Sequence, residues 1–120
     1  MLLVDDDRLF AESIAARLAD DDRIDVVGIA ADGVEAIDLA AELEPDLVLM
    51  DIAMPALDGV AATREIVSRS PSTRVVMLTA SMGRSDEEMS GEAGAIGYLR
   101  KGELDSPRVA DRLLALVELT

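Results

Sequence analysis

Acidic residues stand where two apolar runs of the chain stop. Residues 2–4 pass directly into Asp5 and Asp6, and the apolar residues that open "LVLMDIAMP" (47–55) pass into Asp51. Carboxylates held within a few ångströms of one another cannot all stay ionised unless a cation lies between them. Oxygen ligands without histidine or cysteine suit Mg²⁺ or Mn²⁺, with water in the vacant positions. If the two runs are neighbouring strands, the three acids predict a divalent metal site.

Two more polar residues end later apolar runs. Thr79 closes "RVVML" (74–78), and Lys101, which is the one lysine of the chain, closes "AIGYLR" (95–100). Alone, the hydroxyl could be a strand cap and the ammonium an ion-pair partner. Placed with a metal around one carboxylate, they supply a hydroxyl donor and an anion-binding ammonium. That combination indicates phosphoryl transfer to an aspartate, with Asp51 as the candidate acceptor.

The apolar runs must be strands for these side chains to meet. Near-continuously apolar runs are typical of a parallel sheet covered on both faces, and they lie at 1–5, 25–30, 46–51, 74–80 and 95–101. Stretches with helical spacing lie at 8–21, 33–45, 58–71, more weakly 85–93, and 106–119, the last with Ser106 as its N-cap. Five βα units with short connections predict a right-handed, doubly wound α/β sheet. The ligand site of such a sheet lies beyond the carboxyl ends of its strands, so the polar residues should share one cleft.

The length, composition and charge of the chain exclude several classes of function. The 120 residues suit a single domain (1–120) with one core. The absence of cysteine and histidine excludes thiol catalysis, zinc–thiolate sites and Ser-His relays. A formal charge of −14 makes this domain a poor binder of DNA or RNA. The first apolar run is too short for a signal peptide or a membrane span, so we expect a cytoplasmic protein without membrane contact.

The sequence resembles a receiver domain of bacterial two-component response regulators over essentially all of its length. The matching segments are Asp5-Asp6, "DIAMPALDG" (51–59), "LTAS" (78–81) and "GYLRK" (97–101), and their order and spacing make the match specific. The segment 26–59 is most similar to the LuxR/NarL-type subfamily. The resemblance implies a flavodoxin-like receiver fold, with five parallel strands in the order 2-1-3-4-5 and helices on both faces.

The resemblance also implies a role for each acid. Asp51 would be the phosphoacceptor nucleophile, and Asp6 and Asp51 would bind Mg²⁺ (or Mn²⁺) directly together with the backbone carbonyl of Ala53. Asp5 would act mainly through a bound water. Positioning and electrostatics carry such a transfer, because its transition state needs little covalent help. Two residues would shape the loop after the nucleophile, Pro55 and Gly59.

The remaining implied roles concern the phosphoryl group and the switch. Lys101 would contact the phosphoryl oxygens and Asp51. Thr79 would hydrogen-bond a phosphoryl oxygen, with help from the Ala80 amide. Tyr98 would be the aromatic switch residue whose rotamer follows Thr79.

The function that the resemblance implies is signal transduction rather than conventional enzyme catalysis. A sensor histidine kinase would donate a phosphoryl group to Asp51, and the chain itself would catalyse this transfer and the slow hydrolysis of the aspartyl phosphate. Phosphorylation would switch a conformation that controls transcription, and could also bring two copies together as a homodimer. DNA would be bound only through a separate C-terminal helix-turn-helix domain, so 1–120 would be the receiver part of a longer regulator.

Three other functions conflict with particular residues of the chain. A haloacid-dehalogenase-type phosphatase also uses an aspartate at a strand end but needs a second aspartate two residues later, where this chain has Ala53. A flavodoxin-like flavin binder needs aromatic residues to stack on the ring, and the chain has one Phe, one Tyr and no Trp. A pseudo-receiver that only binds partners would not need the complete set of acids, threonine and lysine.

Two segments depart from the family pattern. Asp7 stands where the LuxR/NarL-type subfamily usually has histidine, and we expect it to cap a helix rather than bind metal. The predicted fourth helix, 84–93, has Met89 as its one large apolar residue and is interrupted by Gly91. A short helix held by so few apolar contacts is marginal, so we expect 84–93 to exchange amide hydrogens faster than 34–43.

Overall fold

A computed structural model of the chain describes residues 1–52, 54, 58–79 and 91–118. Within these ranges the strands are β1 Leu2–Val4, β2 Gly28–Ala30, β3 Leu47–Asp51, β4 Arg74–Thr79 and β5 Gly97–Arg100. The α-helices are α1 Arg8–Ala19, α2 Gly33–Leu43, α3 Gly59–Arg69 and a C-terminal helix, Val109–Glu118, which follows a 3₁₀ helix, Lys101–Asp105. All paired strands run parallel, in the order β2-β1-β3-β4-β5. The predicted doubly wound α/β sheet is confirmed.

The sheet is covered on both faces, as its near-continuously apolar strands require. Successive side chains of a strand point to opposite faces, so each strand feeds two apolar layers. One layer joins Leu3, Leu49, Leu78 and Leu99 to α1 and the C-terminal helix, and the other joins Val4, Met50 and Met77 to α2 and α3. This two-sided burial explains why the strands lack an alternating polar pattern.

Aspartates begin three of the helices. The side chains of Asp7, Asp32 and Asp58 accept hydrogen bonds from the backbone N–H three residues later, at 3.1, 2.8 and 2.8 Å. Such a cap contributes about 1 kcal/mol and fixes where the helix starts. The expectation that Asp7 caps a helix is therefore confirmed, and a part of the acidic composition has a structural reason.

The segment between β5 and the C-terminal helix differs from the prediction. Ser106 was expected to cap a helix that starts at once, but the helix begins at Val109. The 3₁₀ helix comes first because Leu104 is fully buried and the Ser106 N–H donates to the Glu103 carbonyl at 3.1 Å. The Ser106 hydroxyl oxygen then accepts the Arg108 N–H at 3.2 Å, which makes a turn rather than a helix cap.

The predicted fourth helix lies mostly outside the described residues. Of this segment, Ala93 is buried in the layer of α2 and α3, and Gly91 is exposed. The expected difference in hydrogen exchange between 84–93 and 34–43 stays a prediction. Among the described helices, none is both long and apolar enough to cross a membrane.

Candidate functional site

The ends of β1 and β3 bring the three predicted metal ligands together. Val4 of β1 is in register with Met50 of the adjacent strand β3. The next residues, Asp5 and Asp51, therefore lie side by side at the carboxyl ends of the two strands. Asp5 and Asp51 are buried, at 0% and 3% exposure, whereas Asp6 is exposed. One carboxylate oxygen from each of the three acids lies within 4.8 Å of the other two. Oxygens this close suit a shared divalent cation.

The two carboxylate oxygens of Asp5 have different partners. Its Oδ1 accepts the Asp7 N–H at 2.9 Å, which turns the chain from β1 into α1. Its Oδ2 is buried and accepts no hydrogen bond of good geometry among the described residues, although the Lys101 ammonium lies 2.9 Å away. A buried carboxylate oxygen without a hydrogen bond is costly, so this atom favours a nearby cation.

Lys101 lies at the end of β5 and reaches back across the sheet edge. Its Nζ lies 3.3 Å from Asp51 Oδ2 as well as close to Asp5, and its side chain is 26% exposed. Burial removes water from the ammonium and by itself lowers the Lys101 pKa, which is the largest single effect. Contact with Asp5 and the negative charges of Asp51 and Asp5 together outweigh it, so the pKa of Lys101 is raised above its ordinary value. The ammonium therefore stays charged beside the two carboxylates.

Within the described part of the site, the ring of Phe10 makes a contact that the sequence did not predict. The Lys101 Nζ lies 5.0 Å from the centre of this ring, which belongs to the first turns of α1. The available signal was weak: Phe10 is the one phenylalanine of the chain and follows Asp6 by four residues. The position of Phe10 in the sequence does not show that its ring lies beside Lys101, which is 91 residues further along the chain.

Thr79 and Tyr98 lie on neighbouring strands, β4 and β5. Thr79 is buried at the end of β4, in register with Arg100, and Tyr98 pairs with Met77 one step earlier. Because side chains alternate along a strand, Thr79 and Tyr98 both follow the face of Met77, towards α2 and α3. Tyr98 is 37% exposed. The two predicted switch residues thus share one face on neighbouring strands.

Gly59 lets α3 start directly against the end of β3. A Cβ at this position would overlap the Asp51 carbonyl oxygen and lie 2.9 Å from Ile52 Cα. The Gly59 N–H donates to the Ile52 carbonyl at 3.1 Å, and the Ile52 N–H donates to the Leu78 carbonyl at 2.9 Å. These contacts fix the backbone that carries Asp51. The predicted contributions of three other residues fall outside the described residues: Ala53, Pro55 and Ala80.

Comparison with known proteins identifies one family. The sequence profile described as "Response regulator receiver domain" matches residues 1–113. The chain is 41% identical over 108 residues to protein-glutamate methylesterase/protein-glutamine glutaminase 1 of Geobacter sulfurreducens, covering 88% of this chain and 30% of that protein. It is 42% identical over 101 residues to the transcriptional regulatory protein LnrK of Bacillus subtilis (strain 168), covering 84% of this chain and 46% of that protein. The chain thus spans less than half of either relative.

A solved structure agrees with the whole fold. The signal receiver domain of the response regulator NarL from Mycobacterium tuberculosis has a TM-score of 0.87 and 30% sequence identity. The match covers 98% of this chain and 94% of that one. The strands that carry Asp5, Asp51, Thr79 and Lys101 therefore lie in a shared arrangement.

Proposed function

The chain belongs to the response regulator receiver domain family, and from this membership we propose that Asp51 accepts a phosphoryl group from a sensor histidine kinase. One observation carries the proposal: the buried Asp51 carboxylate lies with Asp5 and Asp6 on one side and the Lys101 ammonium 3.3 Å away. This arrangement places one ammonium and a cluster of metal-binding oxygens around a single nucleophilic carboxylate. The LuxR/NarL-type resemblance of the chain agrees with the NarL structure.

The proposed transfer exchanges one bond to phosphorus for another. A lone pair on an Asp51 carboxylate oxygen forms the new O–P bond, while the P–N bond to the kinase's phosphohistidine breaks. The imidazole nitrogen leaves with that electron pair, and the ring is neutral because its other nitrogen carries a proton. In the slow return step, water attacks phosphorus, the Asp51 carboxylate leaves with its electron pair, and the water proton passes to phosphate or solvent. We therefore regard the chain as a self-modifying receiver rather than a conventional enzyme.

We propose that the acids hold Mg²⁺ or Mn²⁺. Asp6 and Asp51 would bind it directly and Asp5 mainly through water, with the Ala53 carbonyl as a further ligand. The three acids each place one carboxylate oxygen within 4.8 Å of the other two, and such a cluster of oxygens fits a hard cation. When bound, the ion would supply positive charge that offsets the charge gathered on Asp51 and the phosphoryl oxygens.

The remaining site residues would detect the phosphoryl group. The Lys101 ammonium would contact a phosphoryl oxygen and Asp51, and the Thr79 hydroxyl would donate to another with the Ala80 amide beside it. Tyr98 would then change rotamer with Thr79, since both follow the same sheet face on adjacent strands. A phosphoryl group can shift the switch only by making better contacts in one conformation than in the other.

We further propose that residues 1–120 are the receiver part of a longer cytoplasmic transcription regulator. DNA would be bound by a separate C-terminal helix-turn-helix domain, and phosphorylation would favour a homodimer. The formal charge of −14 supports a separate DNA reader, and LnrK is a transcriptional regulatory protein. A second candidate, an esterase output domain, is favoured by the similarity to the Geobacter methylesterase.

Intact mass after incubation with acetyl phosphate and Mg²⁺ tests the phosphoacceptor. Wild type should gain one phosphoryl group, and Asp51→Asn should gain none. Asp38→Asn is the matched control, because Asp38 is an exposed carboxylate in the middle of α2. An adduct that persists in Asp51→Asn, or none in wild type, would refute the assignment.

A further inference from the structure

The ammonium of Lys101 is held by more than carboxylates. The Nζ lies 2.9 Å from Asp5 Oδ2, 3.3 Å from Asp51 Oδ2 and 5.0 Å from the centre of the Phe10 ring. An ammonium within about 6 Å of a ring centre is attracted by the negative face of the ring. This attraction adds a third contact, from α1, to a long side chain that the two carboxylates hold only at its tip.

From this geometry we infer that Phe10 is a positioning residue for Lys101. The inference rests on the proposed function, since the ammonium matters there only if Asp51 accepts a phosphoryl group. Transfer to Asp51 changes the charge and the hydrogen bonds of that carboxylate, whereas the ring offers the same face before and after. Phe10 therefore keeps the Lys101 ammonium close to Asp51 through the reaction.

The anchoring of α1 does not depend on this ring. Three buried residues attach the helix to the sheet, Ala11, Ile14 and Leu18. The backbone N–H of Phe10 donates to Asp7 Oδ1 at 3.1 Å, so the start of the helix is fixed by a contact that every side chain at position 10 preserves. Phe10 itself is only partly buried, at the site end of α1. Its ring could be plain packing against the core, and a leucine would serve that role as well.

Three variants separate the positioning role from plain packing. Phe10→Leu keeps an apolar side chain but removes the aromatic face, and Phe10→Tyr restores an aromatic face. Leu9→Ala is the matched control, because Leu9 is the neighbouring residue of α1 and is 80% exposed. Thermal unfolding of each variant shows which of them are folded before any comparison is made.

The first measurement is the NMR signal of Lys101 in the absence of phosphoryl donor. Because the chain has one lysine, selective ¹³C-lysine labelling gives a single set of side-chain signals. Protons held over an aromatic face are shifted upfield, so the Hε protons should move downfield in Phe10→Leu. They should stay near the wild-type position in Phe10→Tyr and Leu9→Ala. An Hε position in Phe10→Leu equal to that of wild type would overturn the inference.

The second measurement is the rate of phosphorylation by acetyl phosphate with saturating Mg²⁺. Phe10→Leu should be slower by about two- to fivefold, the factor that a partly exposed cation–π contact supplies. Phe10→Tyr should recover most of the rate, and Leu9→Ala should match wild type. Equal slowing in Phe10→Leu and Phe10→Tyr would show plain packing and overturn the inference. A wild-type chain that takes no phosphoryl group would refute the proposed function instead, while the Hε shift would still decide whether the ring holds Lys101.

Discussion

At the scale of single residues, Asp5 and Asp6 are neighbours in the chain but lie in different surroundings. Asp5 is buried and already contacts Lys101 and the Asp7 N–H, whereas Asp6 is exposed. An exposed carboxylate beside two buried ones can turn towards a cation without losing another partner. This difference agrees with the proposal that Asp6 binds metal directly and Asp5 through water.

Asp6→Ala should therefore weaken Mg²⁺ binding more than Asp5→Ala does. Loss of a partner that acts through water, as proposed for Asp5, typically lowers metal affinity by about 10- to 100-fold. Because Asp6 is the proposed direct ligand, the loss of Mg²⁺ affinity in Asp6→Ala should be larger than that. Mg²⁺ titrations followed by NMR give both dissociation constants. Asp6→Ala also relieves repulsion between carboxylates, so this exposed position should lose little stability without metal. Equal Mg²⁺ affinity in Asp6→Ala and wild type would contradict the proposed ligand set.

Gly59 sets the position of Asp51 through the backbone. Gly59→Ala should lower the free energy of unfolding by about 1–3 kcal/mol, because the added methyl group overlaps the Asp51 carbonyl and the β3–α3 junction must shift. Urea denaturation measures the change. Gly91→Ala is the control, since a Cβ at position 91 meets no atom within 4 Å among the described residues. It should change stability little, or raise it by up to about 1 kcal/mol. Equal effects of the two substitutions would show that the close approach at Gly59 is not what matters.

At the scale of elements, ion pairs between distant segments attach the C-terminal helix to the rest of the fold. Arg23 lies in the loop before β2, and its Nη2 is 2.7 Å from Asp21 Oδ2 and 2.6 Å from Asp111 Oδ1 of the C-terminal helix. Arg17 of α1 donates to the Asp105 carbonyl at 2.9 Å. These contacts lie on the side of the sheet that also holds Lys101.

The Asp21–Arg23 pair predicts a pH dependence of stability. Hydrogen bonds from the Arg23 side chain and backbone lower the pKa of Asp21 from 3.8 to about 2. A carboxyl group with a lower pKa in the folded chain stabilises the fold at pH values above its unfolded-state pKa. That contribution declines below pH 3.8 and is lost as the pH falls through about 2. An NMR titration of the Asp21 carboxyl carbon should therefore have its midpoint near pH 2.

Arg23→Gln tests the cause of this shift. The Asp21 midpoint should rise towards 3.8, because the charged donor that lowers it is gone. Arg64→Gln is the control, since Arg64 is exposed on α3, away from this pair. A midpoint that is the same in Arg23→Gln and wild type would assign the low pKa of Asp21 to another cause.

Elements with a strong local signal could be predicted from the sequence, and those held by distant contacts could not. Asp32 before Gly33 signals a helix start by itself, and the apolar run before Asp51 signals a buried strand. The 3₁₀ helix after Lys101 depends on the burial of Leu104, whose single apolar side chain makes no periodic pattern. The Arg23–Asp111 contact joins residues 88 positions apart, and no spacing rule could have found it.

The same distinction applies to the site. The carboxyl ends of parallel strands meet at one edge, so the sequence correctly predicted that Asp5, Asp6 and Asp51 come together and that Lys101 lies beside them. The ring of Phe10 was missed because it reaches the site from a helix, whose rotation about its axis is set by packing.

At the scale of the whole molecule, the strong negative charge favours DNA binding by a separate domain. A domain with a formal charge of −14 repels the phosphate backbone of DNA, so it should show no measurable DNA binding at physiological salt. We expect the parent reading frame to continue past Thr120 into a basic helical domain, and the full protein to bind DNA. Fluorescence anisotropy with a labelled duplex compares the two chains. A reading frame that continues into an esterase domain, or that stops after Thr120, would refute the transcriptional role.

The single lysine also decides how this protein can be handled. Reagents that attach dyes, biotin or sensor surfaces to amines have two targets among the described residues, the Met1 amino group and Lys101. Burial lowers the pKa of the Met1 amino group, whereas the pKa of Lys101 is raised, so these reagents should favour Met1. Any chain that is coupled at Lys101 instead carries an amide in place of the ammonium at the proposed phosphoryl site. Such chains lose the positive charge that faces Asp5 and Asp51. Coupling through a cysteine introduced at exposed Asp38 on α2 would leave that charge in place.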